Sequence, residues 1–231
     1  MTDAVVAISD LHFAWTPGTD VLDIAEFRLE AGERLFLRGA SGSGKSTLLG
    51  IIAGVLEAQS GAVRVLGQDL AKLRPAARDR MRADHLGVIF QMFNLVPYLS
   101  VVGNVTLPLR FSKTRRTAVQ GAEEDEARRL LARLGLEDDG LLSRRVSDLS
   151  VGQQQRVAAA RALIGGPEIV IADEPTSALD ANARDRFIEL LSEEARRTGA
   201  ALLFVSHDAG LAPHFDRALD LGDINRAGVT A

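Results

Sequence analysis

In the N-terminal part of the chain the apolar positions come in short runs closed by turn residues, the pattern of β-strands. Residues 4 to 8, Ala-Val-Val-Ala-Ile, and 26 to 30, Glu-Phe-Arg-Leu-Glu, predict strands around the turn Thr16-Pro17-Gly18-Thr19, a small β layer. Leu35-Phe36-Leu37 is a third strand, and after a glycine-rich loop Leu48 to Ala53 reads as a helix. Gln59-Ser60-Gly61 turns into a strand over 62 to 66, and Gly67-Gln68-Asp69 turns out of it. The basic segment Ala71 to Arg82 is expected at the surface, followed by a buried strand from Leu86 to Phe90 that ends on Gln91. From Met92 to Gly166 the period changes to helical, which predicts an inserted helical lobe. Within it, 118 to 134 form an amphipathic helix, with Glu124 four before Arg128, Asp125 four before Arg129, and a stop at Gly135. Residues 154 to 163 form a second helix. Strands then return at Ile169 to Ala172 and Ala201 to Val205, flanking the turn Ser177-Ala178-Leu179-Asp180 and a helix from Ala181 to Arg197.

The strand, loop and helix around residue 40 carry the first chemistry. The loop Gly39-Ala40-Ser41-Gly42-Ser43-Gly44-Lys45-Ser46-Thr47 matches G-x-x-x-x-G-K-S between a strand and a helix. A loop that wraps a polyphosphate points several backbone N–H groups inward, which calls for glycine at 39, 42 and 44. The helix adds its positive end. Lys45 is expected at the β- and γ-phosphates, the Ser46 hydroxyl on magnesium and Thr47 at the α-phosphate.

Later strands end on polar groups. Asp173 and Glu174 are adjacent carboxylates at the end of an apolar strand, an expensive arrangement unless they act on something. Next to a magnesium nucleotide, Asp173 is expected to hold the metal and Glu174 to polarise the attacking water. His207 ends the next strand. Gln91 can reach the metal or the water, or be an ordinary loop residue. Ser150-Val151-Gly152-Gln153 opens a helix and offers a second anion site. Trp15 stands beside the first turn, either stacking on an adenine or packing the turn. Phe93 to Tyr98 form a Pro-broken apolar loop, a candidate docking surface.

Composition narrows the setting. A net charge of −4 argues against nucleic acid as a partner. The absence of cysteine removes disulfides and thiolate metal sites and is compatible with a reducing cytoplasm. The N-terminus Met1 to Ala7 lacks the marks of a signal peptide, and no run approaches the ~18 apolar residues of a membrane span. The chain is therefore expected to be soluble, meeting a membrane only through a partner.

With Gly39 to Ser46, Gln91, Leu149 to Gln153, Ile169 to Glu174, Ser177 to Asp180 and His207 in that order, the chain resembles the ATP-binding-cassette ATPases over nearly its whole length. The run Val88 to Pro97 followed by Asn104-Val105 further resembles the lipoprotein-releasing and macrolide-exporter subgroup. The resemblance implies an α/β fold: a P-loop NTPase (RecA-like) core with an N-terminal antiparallel β layer and an inserted helical subdomain. As a single domain of 231 residues, it would have its core in 1–91 and 167–231 and its helical subdomain in 92–166. It implies two such domains head to tail, each ATP held between the phosphate loop of one and Ser150, Gly152 and Gln153 of the other, with Asp180 also at the nucleotide. Trp15 falls at the adenine-stacking position. Catalysis is then expected from Glu174, His207 and Gln91, and Mg2+ ligation from Ser46, Gln91 and Asp173.

Val151 departs from the glycine usual in the signature, which leaves Ser150 and Gly152 in place. Leu221-Gly222-Asp223 is a loose match to the closing strand. The functional expectation is the ATPase subunit of a membrane transporter, a homodimer on ATP binding, at the cytoplasmic face of the inner or plasma membrane. There it would act on a separately encoded integral membrane permease docked near Phe93–Tyr98. The alternative is an ATPase of the same kind in a mechanotransmission or cell-division complex that transports nothing.

Overall fold

The computed structural model describes residues 4–142, 144–177 and 179–227. Met1 to Asp3, part of the stretch read for a leader, and Ala178 of the turn before Asp180 lie outside the described residues.

The first two strands are longer than their apolar cores announce. β1 (Ala4–Thr16) and β2 (Thr19–Glu30) form an antiparallel hairpin, because Ile8, Leu11 and Phe13 continue the buried face past the clearest alternation. β3 (Arg34–Arg38) leads to α1 (Lys45–Ile52), then β4 (Ser60–Val65) and β5 (Gln68–Asp69). The antiparallel sheet runs β2-β1-β4-β5. The basic segment forms a helix, α2 (Pro75–His85), started by Pro75 at its first turn, and β6 (Leu86–Ile89) follows.

The helical stretch comprises α3 (Val101–Thr106), α4 (Lys113–Ala118), α5 (Glu123–Arg133), α6 (Asp139–Leu142) and α7 (Val151–Leu163). The single helix expected over 118 to 134 is not one helix. Its first residue, Ala118, is the last of α4, and Gly121 takes φ +89°, a left-handed conformation that interrupts the helical path. Glu123, Glu124, Asp125 and Glu126 then sit in the first turn of α5, where the positive helix end favours them.

β7 (Ile169–Asp173), α8 (Ala181–Thr198), β8 (Ala201–Ser206), β9 (Arg217–Asp220) and α9 (Leu221–Ile224) complete the chain. The closing strand is Arg217–Asp220, not Leu221-Gly222-Asp223: the Asp220 side chain accepts from the Gly222 amide and starts a helical turn there. The central sheet is parallel in the order β6-β7-β8-β3-β9.

Two hydrophobic cores flank the central sheet. One joins α1 to the antiparallel layer through Leu22, Leu48 and Ile52, and the other joins α3, α5, α7 and α8 to the opposite face. Phe36, Phe204 and Phe215 pack in the second, with Phe36 and Phe215 stacked at 5.4 Å between ring centroids. Arg115, 3% exposed, ties the helical stretch to the sheet by donating to the carbonyls of Ala162 (2.6 Å) and Ile164 (2.8 Å). Burial lowers its pKa to about 10, so it is charged at neutral pH and its donors are spent on backbone carbonyls. Among the described residues no helix is long and apolar enough to cross a membrane.

Candidate active site

Parallel strands deliver their C-terminal ends to one edge, and here those ends carry the polar side chains. β3 runs into the glycine-rich loop. Gly44 caps α1 at φ +98°, and a Cβ there would lie 2.8 Å from Leu22 Cδ2 and 3.1 Å from the Val21 carbonyl, so the loop can pass under β2 only as glycine. Asn225, 8% exposed, donates to the carbonyls of Val21 (2.9 Å) and Ser43 (3.4 Å) and accepts from the Asp23 amide (2.8 Å). It pins the hairpin to the loop from 182 residues away, and no local pattern marks it.

Lys45 is buried, with its ammonium donating to the carbonyls of Gly39 (2.7 Å) and Ala40 (2.8 Å) and standing 3.9 Å from the Glu174 carboxylate. The cation is thus presented inside the loop, held by neutral carbonyls that an anionic phosphate can displace. The Ser43 hydroxyl is buried without a hydrogen-bond partner, and Thr47 is buried one turn into α1. Ser41 and Gly42 are exposed on the loop's outer side, with Gly42 at φ +79°.

The Ser46 hydroxyl donates to Asp173 Oδ2 at 3.3 Å. Burial at the end of β7 pushes the Asp173 carboxyl above its ordinary value; the Ser46 hydrogen bond opposes this and the neighbouring Glu174 charge adds to it. A carboxylate destabilised in this way gains from a cation. Ser46 and Asp173 are hard oxygen donors of the kind Mg2+ takes. Among the described residues no three acidic or histidine side chains cluster to form an all-protein cage.

Glu174 adopts φ +44°, a left-handed conformation costing about 1 kcal/mol, and its amide is held by the Val205 carbonyl at 2.9 Å. The strain turns the chain away from β7 directly after Asp173. Its Oε2 lies 3.2 Å from His207 Nδ1, so β7 and β8 bring carboxylate and imidazole together. Gln91 leaves β6 in the turn closed by Phe93 N–H to the Phe90 carbonyl, beside the end of β7. Trp15 stands at the hairpin end, 63% exposed and edge-on to Phe13 at 5.0 Å.

Ser150, Gly152 and Gln153 are elsewhere. Ser150 and Gln153 cap α7 reciprocally, Ser150 Oγ accepting from the Gln153 amide (3.4 Å) and Gln153 Oε1 from the Ser150 amide (2.9 Å). Among the described residues no hydrogen bond or ion pair joins them to the loop 39–47. Val151 projects between them, 47% exposed. Asp180 caps α8 through the Ala183 amide at 2.9 Å. Phe93 and Asn94 take φ +57° and +49°, and their carbonyls accept from Arg161 of α7. That tie between the Gln91 loop and the Ser150 helix gave no sign in the sequence. Phe93 and Leu95 pack against the second core, whereas Tyr98 is 76% exposed.

Residues 22–177, more than half of the chain, match the sequence profile of the family described as ABC transporter. The chain belongs to this family. It is 39% identical over 223 residues to the lipoprotein-releasing system ATP-binding protein LolD of Syntrophotalea carbinolica, covering 95% of this chain and 96% of that one. It is 36% identical to the macrolide export ATP-binding/permease protein MacB of a Shewanella species, of which it spans about a third (34%). Its fold matches the dimeric post-hydrolysis structure of the ATP-binding cassette MJ0796 bound to ADP and Pi, with a TM-score of 0.82, 31% identity and 93% coverage of both chains. This ABC cassette is thus an ATPase with an α/β P-loop NTPase fold, homologous to the nucleotide-binding subunits of membrane transporters.

Proposed function

We propose that the cassette works as a homodimer in which each ATP lies between the loop 39–47 of one copy and Ser150, Gly152 and Gln153 of the other. The observation that carries this is the separation within one chain: Lys45, Asp173, Glu174 and His207 share one sheet edge, while the second anion-binding start, on α7, has no hydrogen bond or ion pair with them among the described residues. A second copy is needed to bring the two halves of the site together.

Residues 1–91 and 167–231 are read as the nucleotide-binding core of one domain, with 92–166 its helical subdomain. Lys45 leaves the Gly39 and Ala40 carbonyls for the β- and γ-phosphates, and Thr47 meets the α-phosphate. The backbone of Gly39, Ala40, Ser41, Gly42, Ser43 and Gly44 cradles the phosphates, with the unpartnered Ser43 hydroxyl available to them. Trp15 stacks on the base, and Asp180 adds a contact at the dimer seam. Ser46, Asp173 and Gln91 would hold Mg2+, which would supply neutralisation of phosphate charge. Glu174 orients the water and takes its proton; His207 fixes the carboxylate through Oε2 and faces the γ-phosphate.

The membrane partner is a separately encoded permease, docking near Phe93–Tyr98; LolD is named as the ATP-binding protein of a lipoprotein-releasing system, whereas MacB's name joins cassette and permease in one protein. Val88, Phe90 and Asn94 line a cleft of about 650 Å³ there. Such docking places the cassette peripherally at the cytoplasmic face of the membrane.

The Glu174→Gln variant tests the dimer. The carboxamide keeps the shape and loses the base, so hydrolysis falls by about 10²–10⁴-fold while ATP drives the protein into a dimer by gel filtration. A variant that remains monomeric at saturating Mg-ATP refutes the shared-site reading.

A further inference from the structure

A second cleft, about 540 Å³, opens between the exposed side of α2 and residues 107–118. Arg80, Arg110, Lys113 and Arg116 line it, all exposed and none with a hydrogen-bond or ion-pair partner among the described residues. Its carboxylate, Asp84, accepts the Ser112 hydroxyl. Other exposed or half-exposed arginines of this chain, of net charge −4, do find carboxylates, as Arg34 does with Asp216 and Arg217 with Glu33. Beside these cations Phe111 stands 74% exposed. The buried Arg115, bonded to the Ala162 and Ile164 carbonyls, fixes the segment that carries them.

Four exposed cations around a protruding ring suit an extended anionic surface better than a discrete ion. A site for one phosphate needs buried donors aimed at a point, whereas long, solvated Arg and Lys side chains reach headgroups while an aromatic ring enters the interfacial layer. We propose that this cleft docks on the anionic surface of a lipid bilayer, with lipid phosphates meeting Arg80, Arg110, Lys113 and Arg116 and Phe111 entering the interface. This contact is direct. It needs no membrane subunit, and so it can be read on the cassette alone.

Each cation near an anionic bilayer is worth about fivefold in partitioning, so removing three costs about a hundredfold. The full chain, without nucleotide, is sedimented with phosphatidylcholine vesicles containing phosphatidylglycerol and with phosphatidylcholine alone. Binding is expected to the anionic vesicles only, and to weaken strongly between ~0.1 M and ~1 M salt, where the screening length falls from about 10 Å to about 3 Å. The triple variant Arg110→Ser/Lys113→Ser/Arg116→Ser loses about a hundredfold, and Phe111→Ser about tenfold, with ATP hydrolysis and melting temperature unchanged as evidence of folding.

Absence of binding to either vesicle, equal binding to both, or full binding by the triple variant overturns the proposal. Displacement by millimolar inorganic phosphate instead shows a discrete anion site. Capture of a poly-glutamate peptide by wild type and not by the triple variant, with no vesicle binding, shows an acidic protein partner. A failed dimer test with Glu174→Gln leaves the vesicle result standing, and the reverse holds as well.

Discussion

Lys45 is the residue whose surroundings differ most from its expected task. Its ammonium is satisfied by two loop carbonyls and lies within 3.9 Å of Glu174. In the role proposed for it, ATP exchanges those contacts for charged ones. A charge-assisted hydrogen bond contributes about 1.5–3 kcal/mol, and Lys45→Ala should therefore weaken ATP binding by about 10- to 150-fold in calorimetric titration. Unchanged affinity would mean that the ammonium stays on the carbonyls. Glu174 illustrates the same economy: its left-handed backbone is a local cost accepted where the carboxylate has to meet His207.

At the scale of elements, the loop after β6 divides into two functions that its apolar sequence presents as one. Phe93 and Leu95 fill space against the second core, and Arg161 fastens the loop carbonyls to α7; Tyr98 projects into solvent. Leu95→Asp should accordingly destabilise the fold by about 1–2 kcal/mol, through lost packing and a charge at a half-buried position. Tyr98→Asp should leave the melting temperature and basal ATP hydrolysis unchanged while weakening capture of the membrane subunit in a pull-down. Equal melting temperatures for both variants would place Leu95 on the surface, contrary to its packing. The Arg161 tie also connects the loop that follows Gln91 to the helix that starts at Ser150.

For the molecule as a whole, the helical stretch and the core are held together by buried charge as well as by apolar packing. Glu194 of α8 is 1% exposed and pairs with Arg129 and Arg133 of α5 and with Arg197 of its own helix. Burial acts to raise its pKa, but the hydrogen bond from Arg197 and the charges of Arg197 and Arg129 outweigh it, and the carboxyl lies below its ordinary 4.5. With the folded value depressed, the pairing stabilises the fold in full above pH 4.5 and is lost as pH falls through the lowered value. Glu194→Gln should lower stability at pH 7 by about 2 kcal/mol, or about 4–8 °C in a chain of this size. It should also shrink the loss of stability below pH 4.5 seen in thermal melts. An unaltered acid limb would show that other carboxylates carry it.

The sequence by itself determined the phosphate loop, the strand ends at Asp173, Glu174 and His207, the start of α7 and the family, because each is a local pattern whose chemistry depends on neighbours a few residues away. It also determined the apolar runs that become β3, β6, β7 and β8. Only the tertiary structure decided what those ends meet. Sheet order, which follows from long-range pairing of β8 with both β7 and β3, sets Glu174 against His207 and Ser46 against Asp173. Boundaries were illegible where side-chain caps or left-handed residues govern them: Gly121 splits the expected 118–134 helix, and Asp220 turns the expected closing strand at 221–223 into a helical turn. Asn225 and Arg161 were invisible for a related reason. Their partners are backbone carbonyls 182 and 67 residues distant, and a carbonyl carries no residue type for a sequence pattern to record.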